Sequence, residues 1–135
     1  MKYKILFVLF TIALISSVLL SFSKPAEICS PTEGCDKVIN SEYASTLGIK
    51  NSYVGIGIFI IMLMIIYSQN KNSKKHKKVI IHAGIIAGTL IALHFLYLQQ
   101  FVIQSYCKYC LIVDFSLILG LFTILFIKEN YPNKT

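Results

Sequence analysis

Charge is what this chain has least of. Only 14% of its 135 residues are charged while 56% are hydrophobic, which is far from the composition of a water-soluble domain of this length. The apolar residues lack the alternating or 3.6-residue pattern that builds a half-buried surface. They come in long blocks instead, which excludes a soluble fold and makes lipid the solvent. Arginine is absent altogether, so the net charge of +7 rests on lysine alone. A nucleic-acid surface would need its positive charges clustered with aromatic residues on a folded face, whereas these lysines fall between the apolar blocks.

Four such blocks span 5–22, 53–68, 79–103 and 110–127, each close to the roughly 20 residues a helix needs to cross the hydrocarbon core. The fold expected is a single all-α membrane domain over 1–135, a four-transmembrane-helix bundle with an outer loop at 23–52 and a cytoplasmic loop at 69–78. The second of these loops carries Lys71, Lys74, Lys75, Lys77 and Lys78 and marks the cytoplasmic side by the positive-inside rule. Both termini then fall inside. Lys2, Lys4, Lys128 and Lys134 join the inner set, against Lys24, Lys37, Lys50 and Lys108 outside. The first block, preceded by Lys2 and Lys4, also has the look of a signal peptide, but its apolar run exceeds a usual signal core and its removal would leave an odd number of helices. In the third block Gly84, Gly88 and Ala92 stand four apart, the spacing of a close packing face. A composition rich in lysine, isoleucine and asparagine suggests a bacterial cytoplasmic (inner) membrane.

This topology puts all four cysteines on the outer side, Cys29 and Cys35 in the long loop and Cys107 and Cys110 in the connection that opens the fourth helix. Disulfides form and persist there, so two pairs read as redox-active or bridged. Cys107-Lys108-Tyr109-Cys110 is a C-x-x-C, whose spacing puts both sulfurs on one face of a helix. At a helix start the unsatisfied N–H groups favour a thiolate, and Lys108 adds positive charge. A depressed thiol pKa suits exchange. Two other readings stay open: a metal-handling membrane protein using the four sulfurs, against which only one pair has C-x-x-C spacing, and a non-catalytic bundle with structural disulfides. The second suits Cys29 and Cys35 better than a pair that a helix already fixes.

Cys29 and Cys35, the run Cys35-Asp36-Lys37-Val38-Ile39-Asn40-Ser41-Glu42-Tyr43-Ala44, the run Asn51-Ser52-Tyr53-Val54-Gly55, and Cys107-Lys108-Tyr109-Cys110 together resemble the vitamin K epoxide reductase family in its short bacterial form. Their order, with the wide pair first and the C-x-x-C last, is the reverse of that in the other type of four-helix quinone-linked oxidase. The resemblance implies a membrane thiol–disulfide oxidoreductase with the four cysteines as catalytic residues and no metal. A thioredoxin-fold (DsbA-like) partner would give electrons to Cys29, Cys35 would exchange with Cys107, and Cys110 would face a membrane quinone of the menaquinone, ubiquinone or vitamin K type. Ser41 falls where the family keeps a loop Ser/Thr near the active site. Asn51 matches an asparagine that bonds a quinone carbonyl in the vitamin K-reducing members. Because only about eight residues follow the last block, the partner is expected to be a separate protein.

Asp114 departs from that pattern, standing where the vitamin K-reducing members have a tyrosine at the other carbonyl. It lies four residues after Cys110 on the same helix face. An intramembrane carboxylate is a functional candidate by default, and its protonated form could give a hydrogen bond or a proton to a reduced quinone oxygen. His82 and His94 are separated by about 18 Å of helix rise, too far to share a site; His82 is expected at the interface and His94 packed in the bundle. Gln99 and Gln100 read equally well as pocket border or headgroup contacts and stay outside the expected site.

Overall fold

The structure, a computed structural model, describes residues 1–22 and 34–128. Four helices are long and apolar enough to cross a membrane: α1 (Lys2–Phe22), α3 (Asn51–Lys71), α4 (Lys75–Tyr97), which runs on as a π-helix through Leu98–Ile103, and α5 (Lys108–Phe126). Between α1 and α3 the described chain forms a cap made of a short helix α2 (Cys35–Ile39), a 3₁₀ turn (Glu42–Ala44) and a two-residue hairpin of β1 (Ser45–Thr46) and β2 (Ile49–Lys50). The bundle is the four-helix membrane fold expected from the apolar blocks.

The helices extend past those blocks. The lysine-rich stretch expected as a loop over 69–78 is helical except at 72–74, because lysine is a good helix former and its long stem lets a charge at a helix end reach water. Apolarity therefore marks hydrocarbon depth here, not helix length. The tight turn is held by side chains. Gln69, 1% exposed, donates from Nε2 to Ser73 Oγ (3.1 Å) and accepts from the Lys74 N–H at Oε1 (3.0 Å). At the same end of the bundle the buried Lys2 donates from Nζ to the Ile124 carbonyl (3.2 Å), placing a cation on last-turn carbonyls that lack intrahelical partners.

The core joins Leu6, Phe10 and Ala13 of α1 to Phe59 and Ile66 of α3, Ile81 and Ile85 of α4, and Leu117 of α5. Helix α1 packs closely on both α3 and α5, and α5 on α4, while α3 packs less closely on α4. The small residues of α4 serve two neighbours instead of one: a Cβ at Gly84 would stand 2.9 Å from Met62 Sδ on α3, and one at Gly88 would stand 3.2 Å from Leu117 on α5. Outward-facing residues such as Ile12, Ile61, Leu90 and Phe122 are exposed, which suits helices solvated by lipid. His82 is half-buried, with Nδ1 2.7 Å from the Lys78 carbonyl. His94, expected inside the bundle, faces outward beside Phe95, since the buried stripe of α4 runs through Ile81, Ile85, Thr89 and Ala92.

Candidate functional site

The cap end of the bundle is built around the start of α5. Cys107 is the N-terminal cap residue, with extended backbone, and Cys110 lies in the first turn. Their side chains share a hydrogen bond, as the i, i+3 spacing requires of two sulfurs on one helix face. The pair is unequal. Cys107 has no exposed surface, whereas Cys110 is half-buried and lines a cavity. Cys107 lies just outside the spanning segment. The Cys110 thiol hydrogen-bonded to it, helped by the N–H groups of Cys110 and Tyr109, pulls its thiol from 9.0 down to about 7 against the opposing effect of burial. The helix start supplies the N–H groups expected of it; Lys108 is exposed, and the shift comes from hydrogen bonds.

What buries Cys107 is the cap. Val38 of α2 forms a small buried cluster with it, surrounded by Leu20, Ile39, Ile103 and Tyr109. Gly34, whose carbonyl accepts from the Lys37 and Val38 N–H groups, has φ +60°, and a Cβ there would stand 2.9 Å from the Ser105 Cβ. The start of α2 is thus pressed against the connection two residues before Cys107, a close approach that only glycine permits without strain. Cys35 is the first residue of α2. Cys29 lies outside the described residues.

The connection itself is organised by Gln99. The π-helical turn of Leu98–Ile103 ends at Gln104, in the left-handed conformation, and the Gln104 and Ser105 N–H groups both donate to the Gln99 carbonyl. The Gln99 side chain, 2% exposed, accepts at Oε1 from the Cys107 N–H (3.1 Å) and donates from Nε2 towards Asp114 Oδ2 (3.4 Å). Asp114 is 4% exposed. Gln100 points outward. Of the two glutamines that the sequence places equally well at a pocket border or among headgroups, Gln99 lines the cavity beside Cys110 and Asp114. The signal available was a polar residue inside an apolar block eight positions before Cys107. A π turn, frequent at functional sites, then turns one glutamine inward and the other out.

The cavity measures about 550 Å³, with walls from all four long helices and the cap. It is largely apolar, with Leu20, Ile58, Gly88 and Phe95 on its sides, while Cys110 and Asp114 both face into it from α5. Ser41 and Asn51 line the cap wall. Each is also engaged in the cap: Ser41 Oγ donates to the Val38 carbonyl (2.8 Å), closing α2, and Asn51 donates from Nδ2 to the Tyr43 carbonyl (2.9 Å) and accepts at Oδ1 from Thr46 Oγ1 (2.8 Å). Among the described residues no three His, Cys, Asp or Glu side chains gather as a metal site would require.

A buried cysteine, its partner on an apolar cavity and a cap that covers the first of them are joined by a match to the family model for the vitamin K epoxide reductase family, over residues 4–125. The chain belongs to that family. Membership makes it a membrane thiol–disulfide oxidoreductase, and the matched region takes in all four cysteines, the cap and α1 apart from its first two residues.

Proposed function

We propose that this vitamin K epoxide reductase family member carries electrons from a reduced thioredoxin-fold protein to a membrane quinone, forming disulfides outside the cytoplasm. The lysine-rich turn end of the bundle faces the cytoplasm of a bacterial inner membrane, and the cap faces out. Cys29 meets the partner, and the Cys29–Cys35 disulfide is reduced. Cys35 attacks Cys107 of an oxidised Cys107–Cys110 pair, giving a Cys35–Cys107 mixed disulfide and releasing the Cys110 thiolate. Attack of Cys29 on Cys35 restores the first disulfide and leaves Cys107 and Cys110 reduced. Their reoxidation gives up two electrons and two protons, which the quinone accepts to become a quinol.

The observation that carries this reading is the division of labour within the C-x-x-C. Cys107 lies under the segment that begins with Cys35, and Cys110 opens onto the cavity. A thiol drawn down to about 7 is both a good leaving group and a good nucleophile near neutral pH. The cavity falls in the size range of small-molecule sites, and its apolar walls suit an isoprenoid quinone. Asp114 is the proton donor to a reduced quinone oxygen. Ser41 and Asn51 hold the cap over the ring, and Asn51 keeps one amide hydrogen for a quinone carbonyl after its cap bonds.

The test is turnover by the purified chain in detergent, with a reduced DsbA-like protein as donor and a short-chain ubiquinone or menaquinone analogue as acceptor. Quinol should appear in step with oxidised donor, and Cys107→Ser or Cys110→Ser should reduce the rate to background. Cys29→Ser should accumulate the Cys35–Cys107 bridge. Absence of quinol, with stoichiometric metal uptake in its place, would overturn the proposal.

A further inference from the structure

We propose that Gln99 is a positioning residue that decides which oxygen of Asp114 carries the proton. This rests on the reading of Asp114 as proton donor and extends it to a residue that bonds the Cys107 backbone and the other oxygen of Asp114.

The argument starts from the backbone. The Cys107 N–H can only donate, and it is buried with its residue, so the atom it meets at 3.1 Å must be the amide oxygen of Gln99. With Oε1 committed, the other end of the amide is an NH₂, which can also only donate. It faces Asp114 Oδ2 at 3.4 Å. A carboxyl oxygen that accepts from Nε2 presents a lone pair there, so the proton of a neutral Asp114 belongs on Oδ1. The polarity runs without a free choice from the Cys107 amide through Gln99 to the far oxygen of a residue that lines the cavity. Gln99 itself cannot turn over: its carbonyl anchors the Gln104 and Ser105 N–H groups, and its side chain is 2% exposed.

In the reaction, the Oδ1–H bond breaks and the proton passes to one oxygen of the quinone as the electron pair arrives from the Cys107–Cys110 dithiol. One of the two protons released when that dithiol closes to a disulfide restores the carboxyl. The other goes to the second quinol oxygen. The same glutamine that holds the N-terminal side of the C-x-x-C thereby aims the proton, tying sulfur position and proton position to one side chain.

The experiment is a double-mutant cycle on the full chain in detergent, with a short-chain ubiquinone analogue as acceptor and a dithiol as donor. Gln99→Glu keeps an acceptor towards Cys107 and replaces the donor facing Asp114 with an acceptor, which draws the Asp114 proton onto Oδ2. It should lower kcat by about tenfold or more, a part of the roughly 10²–10⁴-fold that a positioned general acid contributes, while the KM for the quinone changes by less than about threefold. Asp114→Asn should lower kcat at least as much, and the double variant should be no slower than Asp114→Asn alone, because both remove one function. Gln99→Met, which keeps the volume and loses both bonds, should show the same kcat loss and serves if Gln99→Glu does not fold.

Effects that multiply in the double variant would overturn the inference, as would a loss confined to KM. An unchanged kcat in Asp114→Asn would sink the proton-donor reading and the inference with it. A loss in Asp114→Asn with none in either Gln99 variant would sink the inference alone.

Discussion

The two ends of the bundle solve the same problem with the same residue. At the lysine-rich end Gln69 is buried, and its amide satisfies the turn from α3 to α4 through Ser73 and the Lys74 N–H. At the cap end Gln99 is buried, and its amide satisfies the connection from α4 to α5 through the Cys107 N–H, then reaches Asp114. Both obey the rule that a polar group taken out of water must be paired. What separates them is the partner. Gln69 meets a hydroxyl and an amide with no chemistry of their own, and its end of the bundle is a tight turn backed by Lys2 on the Ile124 carbonyl. Gln99 meets a thiol's backbone and a carboxyl beside a cavity. What stands on the far side of the buried glutamine tells the two ends apart.

The contrast breaks most visibly with pH, which should act only at the cap end. With the Cys107 thiol at about 7, protonation below that value withdraws the thiolate. The rate at which the reduced Cys107–Cys110 pair is reoxidised, the step that needs the Cys107 thiolate, should rise about fifty-fold from pH 5 to 7 and only about twofold from 7 to 9. Single-turnover quenching of the cysteine redox states across that range measures it. A rate still climbing about tenfold from pH 7 to pH 8 would return Cys107 to an ordinary thiol and remove the effect of the Cys110 hydrogen bond.

The lysine-free blocks made the four spans legible, and the i, i+4 spacing of Cys110 and Asp114 put both on one face, as the cavity bears out. Gln99 was not legible. In one dimension it is half of a Gln-Gln pair near a helix end, and such a pair serves headgroups as well as a buried site. Its role depends on a π turn and on a left-handed Gln104, features of the backbone path that leave no periodic trace. His94 failed for a related reason: its helix face is decided by where Ile85 and Ala92 pack, and the third block is apolar nearly all round, so the pattern carries no direction. The cap's grip on Cys107 was also hidden, because it rests on the absence of a side chain at Gly34.

That grip gives the next sharpening. Gly34→Ala places a Cβ where φ is +60° and 2.9 Å from the Ser105 Cβ. Left-handed backbone alone costs a residue with a side chain about 1–2 kcal/mol, and 1.4 kcal/mol is about tenfold in an equilibrium or a rate. Displacing α2 from the connection should slow Cys35–Cys107 exchange by about tenfold or more. Quinol formation from a protein already reduced at Cys107 and Cys110 should not change. Equal slowing of both steps would mean that Gly34 supports the whole site instead of the docking of α2.

The smallest effect on turnover belongs to the other glutamine. Gln69→Leu keeps the bulk and removes the bonds to Ser73 and to the exposed Lys74 N–H, a loss of about 0.5–1.5 kcal/mol for each hydrogen bond. The unfolding midpoint in detergent should fall accordingly. Turnover at a temperature well below that midpoint should stay within about twofold of the parent, because the altered turn lies at the opposite end of the bundle from Cys110. This is the control that gives the Gln99 variants their meaning. If loss of the Gln69 amide lowered kcat as far as loss of the Gln99 amide does, a buried glutamine at either end would be acting through the rigidity of the bundle. A fall in stability without a fall in kcat leaves the far-side partner, Asp114, as the reason that the two ends differ.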